Sequence, residues 1–140
     1  MYLLDTNVLS EIAKRTPDEQ VQRRIYSTEK ELLFASEMTR YELRYGAAIH
    51  PEPSKFWERI ERKILPLPVW IPIGPEVSSA TADLDGAMRR KGRMIEVADV
   101  FIAGTALVFG LVLVTRNVKH FDQVPGLEIE NWFPEGTTRA

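Results

Sequence analysis

The sequence predicts an α/β fold of three layers, α/β/α, with a central parallel sheet of four to five strands. Three observations point there: apolar runs of strand length recur along the chain, helix-period segments separate them, and prolines and glycines punctuate the changeovers. Parallel neighbours need long crossovers, and these are mostly right-handed helices, so strands alternating with helices imply a sheet covered on both faces.

The elements follow in order. Residues 2–4 form a first apolar strand, and a helix over 7–14 starts behind a Thr6/Asn7 capping signal. A second helix over 18–28 follows Pro17 and sets Val21 and Ile25 four apart. Residues 32–35 are the next strand. The spacing of Met38, Tyr41 and Tyr45 predicts a helix over 38–49 that stops before Pro51. Phe56, Trp57, Ile60 and Ile64 stripe a helix over 54–65, which Pro66 and Pro68 end. After a strand at 70–73, a helix over 76–91 lines up Val77, Ala80, Leu84 and Met88, carries basic residues in its last turn and closes at Gly92. The helix at 100–109 is apolar nearly all round, so it should be buried on most sides, with Gly110 as its stop. Strands at 111–114 and, more weakly, 127–129 complete the set. Residues 135–140 read as a frayed polar tail. No repeat, low-complexity tract or linker divides residues 1–140, which are read as one domain.

With 140 residues and 44% hydrophobic content, the chain suffices for one real core. The absence of cysteine excludes disulfides and thiolate metal sites and is compatible with a reducing interior. The longest apolar block, 97–114, is broken by Asp99, Gly104, Thr105 and Gly110, and the N-terminus lacks a signal-peptide pattern, so the expectation is a cytoplasmic protein without a membrane partner. A formal net charge of −2 excludes holding nucleic acid through a bulk positive field. Cations are nonetheless grouped: Arg23-Arg24, Arg40 with Arg44, Arg89-Arg90-Lys91 with Arg93, and Arg116 with Lys119, the last three beside acid-bearing segments. An acidic pocket rimmed by cations suits a polyanion bridged through metal, while each group alone also reads as a solvated face.

Three acids stand at comparable junctions. Asp5 ends the first apolar run, at the strand edge where open α/β sheets bind ligands, and it also fits the N-cap of the following helix. Glu42 lies near a helix start and also fits a capping box, Thr39-Arg40-Tyr41-Glu42. Asp99 sits between apolar neighbours, where an unpartnered acid is costly; it fits an N-cap, or a metal as partner. Asn117 follows the fourth apolar run as Asp5 follows the first, and its amide oxygen suits a hard cation, a water or a turn. Converging carboxylates raise one another's pKa unless a cation neutralises them. Oxygen donors without cysteine or paired histidines favour Mg²⁺ or Mn²⁺ over zinc. Glu96 and Asp122 are spare acids expected in solvent, and His50 and His120 are expected at the surface or in packing.

With these residues in view, the chain resembles PIN-domain ribonucleases, and among them the VapC-type toxins of bacterial toxin–antitoxin pairs. The likeness runs over nearly the whole length: Leu3-Leu4-Asp5-Thr6-Asn7-Val8-Leu9-Ser10, then Ser36 to Thr39 leading into Glu42-Leu43-Arg44-Tyr45-Gly46, Ala98-Asp99-Val100-Phe101-Ile102-Ala103, Leu113-Val114-Thr115-Arg116-Asn117, His120-Phe121, and Val124-Pro125-Gly126-Leu127 before Trp132. The resemblance implies that Asp5, Glu42 and Asp99 take the three acidic positions, with Asn117 at a fourth that is Asp in many members. It further implies endonucleolytic cleavage of single-stranded or looped RNA, a homodimer, and inhibition by a small VapB-type antitoxin. In that mechanism Asp5 and Asp99 hold Mg²⁺ (or Mn²⁺), Glu42 completes the shell or takes a proton from water, and Asn117 positions water or metal. Thr6 and Thr115 tune the shell by hydrogen bonding. Arg40, Arg44, Arg116 and Lys119 are the expected phosphate contacts. Two other functions compete. A haloacid-dehalogenase-like phosphatase needs a second acid two residues after Asp5, where this chain has Asn7; a non-catalytic binding module on a PIN or receiver-like fold would bear the same acids without turnover.

Overall fold

The computed structural model describes residues 1–135, so all of the expected tail except Glu135 lies outside the described residues. Five parallel strands form one sheet in the order β3-β2-β1-β4-β5: β1 Tyr2–Leu4, β2 Leu33–Ser36, β3 Val69–Ile71, β4 Val112–Val114 and β5 Ile129–Glu130. β1 is central, with Leu3 level with Phe34 on one side and Leu113 on the other.

Successive strand residues face opposite ways, and the apolar runs are two-sided because both faces are covered. Leu4, Leu33, Ala35 and Val114 pack on one side with α1 (Thr6–Ile12), α2 (Glu19–Ser27), α3 (Glu37–Ala48) and α4 (Pro53–Lys63). Leu3, Ile71 and Leu113 pack on the other with α5 (Pro75–Arg90), α6 (Val97–Phe109) and the short α7 (Val118–Phe121). Phe56 and Trp57 lean onto the first of these cores, so the aromatic stripe of α4 is packing. Gly92 and Gly110 take the left-handed conformation at the ends of α5 and α6, as their sequence positions predict.

Boundaries move for local reasons. β2 starts at Leu33 because Lys30–Leu32 winds into a 3₁₀ turn. β3 ends at Ile71, where Pro72 brings no N–H to extend the ladder. α6 begins at Val97, three residues before the expected start, and α7 was not expected at all. Among the described residues no helix is long and apolar enough to cross a membrane.

The chain runs outward from β1 through β2 to β3 and then returns to β4 on β1's other flank. Strand order therefore reverses between β1 and β4, which opens a crevice beyond their carboxyl ends, the usual ligand position in open α/β sheets.

Candidate active site

Asp5 and Thr115 follow β1 and β4 directly and so emerge side by side in that crevice, with Asp5 N–H still donating to the Val114 carbonyl at 2.9 Å. A cavity of about 420 Å³ opens above them, lined by Asp5, Thr6, Asn7, Ser10, Glu11, Lys14, Glu42, Asp99, Arg116 and Asn117. The fold thus gathers Asp5, Glu42, Asp99 and Asn117, which are up to 112 positions apart in the chain (from residue 5 to residue 117).

Asp5 is 4% exposed and immobilised. Its Oδ1 accepts the Thr6 N–H at 2.7 Å, so the capping role is real; Oδ2 accepts the Thr115 hydroxyl at 2.8 Å and the Asn7 amide at 3.2 Å. Burial pushes its carboxyl from the ordinary 3.8 up to about 6; the Thr115 and Thr6 bonds oppose this, and the charges of Asp99 and Glu42 add to it. Asn7, the residue that breaks the phosphatase pattern, also accepts the Arg116 N–H at 3.2 Å and so ties the start of α1 to the segment after β4.

Glu42 is not in a capping box. Ser36 caps α3 by accepting the Met38 N–H at 3.0 Å, which moves the helix start upstream of Thr39 and frees the glutamate to reach the cleft. Its Oε1 accepts the Thr6 hydroxyl at 2.7 Å, and Thr39 Oγ1 lies 2.9 Å from Thr6 Oγ1. Burial again raises its pKa; the Thr6 bond opposes this, while Asp99 and Glu96 add to it. Asp99 is not an N-cap either: α6 begins at Val97, which puts Asp99 in its first turn with the side chain turned to His120, whose Nε2 lies 2.9 Å from Oδ2. His120 therefore orients an acid, a role its isolated position in the sequence did not signal; only α7, too short to show periodicity, brings it there. His50 packs on Phe56.

The expected phosphate contacts divide. Arg116 lines the cleft, its guanidinium 4.3 Å from the Phe133 ring centre. Arg40 lies over Trp70 and pairs with Glu37, Arg44 lies over Trp57, and neither they nor Lys119 lines the cavity. Glu96 and Asp122 are exposed and outside its lining, as expected. Sequence reasoning gave no site role to four lining residues, Asn7, Ser10, Glu11 and Lys14; the last two, an acid and a base three apart, look like an ordinary surface pair.

Among the described residues no three His, Cys, Asp or Glu side chains stand together as a ready-made metal cluster. Each acid is instead held by its own neighbour: Asp5 by Thr115, Glu42 by Thr6 and Asp99 by His120. The donor chemistry still fits a hard cation, since the lining offers carboxylates and an amide oxygen, and the charge of Asp99 adds to the burial that raises the pKa of Asp5 and Glu42.

A three-layer parallel domain with acids gathered at its topological switch point defines an acidic-cleft α/β protein. A family model of the PIN domain matches residues 2–127, and the chain belongs to the PIN-domain family. It is similar to VapC ribonuclease Y4jK of Sinorhizobium fredii, with 36% identity over 140 residues covering 96% of this chain and 99% of that one. It is similar as well to toxin FitB of Neisseria gonorrhoeae, with 35% identity over 126 residues covering 86% and 91%. Among solved structures, DNA-bound VapBC from Salmonella typhimurium superposes with a TM-score of 0.86 at 30% identity, covering 94% of this chain and 97% of that one.

Proposed function

We propose that this protein is a metal-dependent endoribonuclease of the VapC type, the toxin of a toxin–antitoxin pair acting in the cytoplasm. The observation that carries this reading is the single cleft shared by Asp5, Glu42, Asp99 and Asn117. The relatives support it: one is named a VapC ribonuclease, another a tRNA(fMet)-specific endonuclease VapC, and solved neighbours are toxin–antitoxin complexes.

In this reading Asp5 and Asp99 would hold Mg²⁺ or Mn²⁺, with Glu42 able to complete the set. When bound, the ion neutralises charge on the scissile phosphate and acidifies a water. The chain supplies the rest. The raised pKa of Glu42 suits it to accept the proton of the attacking water, and Thr6 holds its carboxylate in one orientation. His120 orients Asp99, Thr115 and Asn7 orient Asp5, and Asn117 presents a neutral oxygen for water or metal. Arg116 lies at the cleft for the substrate's phosphates; Arg40 and Arg44, set against tryptophans, serve the fold in this reading. A VapB-type antitoxin covering the cleft would silence the enzyme, and the active form would be a homodimer.

The test is cleavage of a single-stranded or looped RNA with Mg²⁺ or Mn²⁺. Wild type cleaves and a chelator stops it; Asp5→Asn and Asp99→Asn lose cleavage while remaining folded. Unchanged cleavage by either rigorously purified variant would refute the assignment.

A further inference from the structure

We infer that Lys14 binds a backbone phosphate of the RNA at the mouth of the acid cleft, and that Glu11 is the residue that positions it. The inference rests on the ribonuclease reading above and extends it to a residue which that mechanism does not use.

A polyanion entering a cleft of four acids, Asp5, Glu11, Glu42 and Asp99, needs cations in the wall, and the lining supplies Lys14 and Arg116. Lys14 follows the C-cap of α1, its N–H donating to the Glu11 carbonyl at 3.2 Å, so its side chain leaves the helix at the cavity wall. Its Nζ lies 2.7 Å from Glu11 Oε1, yet the lysine side chain is 57% exposed while that of the glutamate is 7%. The other Glu11 oxygen, Oε2, accepts the Asp18 N–H at 2.9 Å. The carboxylate is thus anchored from behind by backbone and offers one oxygen forward.

An ordinary surface ion pair has two mobile partners and little worth. Here one partner is buried and bonded on both oxygens, so the ammonium is held at one point of the wall. A lysine ammonium has three N–H donors. Glu11 takes one, and two remain for phosphate oxygens in a cavity that is open to solvent on the lysine side.

Removing Lys14 alone leaves Glu11 buried without its cation, which costs stability whatever the lysine does for substrate. The experiment therefore compares Lys14→Gln, Glu11→Gln and the double variant Glu11→Gln/Lys14→Gln, in which neither charge is orphaned. Each is assayed for cleavage of a single-stranded RNA oligonucleotide at fixed Mg²⁺ across a salt series. Lys14→Gln and the double variant should raise KM about 3- to 10-fold with kcat retained, and should flatten the slope of log affinity against log salt by about 0.7, the value of one phosphate contact on a single strand. Glu11→Gln should raise KM while keeping the wild-type salt slope, because the ammonium remains but is no longer fixed, and a wild-type KM there would overturn the positioning role; Lys14→Arg should retain most of the affinity. If the double variant matches wild type in KM and salt slope while wild type cleaves RNA, Lys14 only neutralises Glu11 and the inference fails alone. If wild type itself does not cleave RNA, the functional reading fails and the inference falls with it.

Discussion

Burial outweighs two opposing hydrogen bonds at Asp5. Its folded pKa of about 6 lies above the ordinary 3.8, so the folded state binds the proton more tightly than the unfolded one. The stabilising contribution is then complete below about 3.8 and is lost as pH rises through 6, a difference of ~3 kcal/mol. Asp5→Asn keeps the shape and removes the charge. In chelator, denaturant unfolding should find this variant more stable than wild type above pH 6, with the advantage gone near pH 4; equal stability at every pH would show that Asp5 is not strained. Thr115→Val tests the opposing bond. Loss of the hydroxyl that lowers the Asp5 pKa should move the acidic limb of the cleavage pH profile upward, whereas a uniform loss of rate with the limb in place would mean a purely structural role. At this scale the sequence was legible in residue type and in part in partners. Asp5, Glu42, Asp99 and Asn117 could be picked out as acids and amide beside apolar runs, and Thr6 and Thr115 were expected to hydrogen-bond to the acids, but Asn7 and His120 acquire their roles from bonds across the fold.

Helix ends decided which acids reach the cleft. For Glu42 a capping box was open in the sequence, and Ser36 closed it by capping α3 three residues before Thr39. For Asp99 the cap was again open, and the extra turn at the start of α6 put the residue inside the helix. Both ambiguities have one cause: Ser, Thr, Asp and Glu serve as caps and as functional groups with the same local pattern. α6 also has to lie close to α5. A Cβ on Gly104 would overlap Thr81 Oγ1, and that hydroxyl is a buried polar atom with no hydrogen-bond partner. Gly104→Ala should therefore destabilise the fold by about 1–3 kcal/mol. Adding Thr81→Ala should recover part of that loss, because it removes the atom that overlaps and the unsatisfied hydroxyl, while Thr81 Cβ stays 3.2 Å from the new methyl. Two additive losses in thermal unfolding would show that the two sites do not meet. Since α6 carries Asp99, the double variant should regain cleavage together with stability.

On the scale of the molecule, a cleft whose carboxylates repel one another should bind a divalent cation more strongly folded than unfolded. Millimolar Mg²⁺ or Mn²⁺ should raise the melting temperature of wild type by several degrees, since a hundredfold excess over Kd contributes ~2.7 kcal/mol. Asp99→Asn should respond much less, and a wild-type melting temperature indifferent to metal would count against a cation site. The α/β class and the approximate places of its strands were legible in the sequence because they depend on hydrophobic period and on proline and glycine, which act over a few residues. The acidic residue types were equally plain, and so was the resemblance that grouped them. Tertiary structure alone decided strand order, and with it the switch point between β1 and β4 where residues 5 and 115 become neighbours. It also set Arg40 and Arg44 against tryptophans and brought Lys14 to the cleft wall. The physical reason is range: hydrophobic period and capping signals are written within a turn or two of chain, whereas the company a charge keeps is chosen by segments a hundred residues apart, packed so that both faces of one sheet are buried.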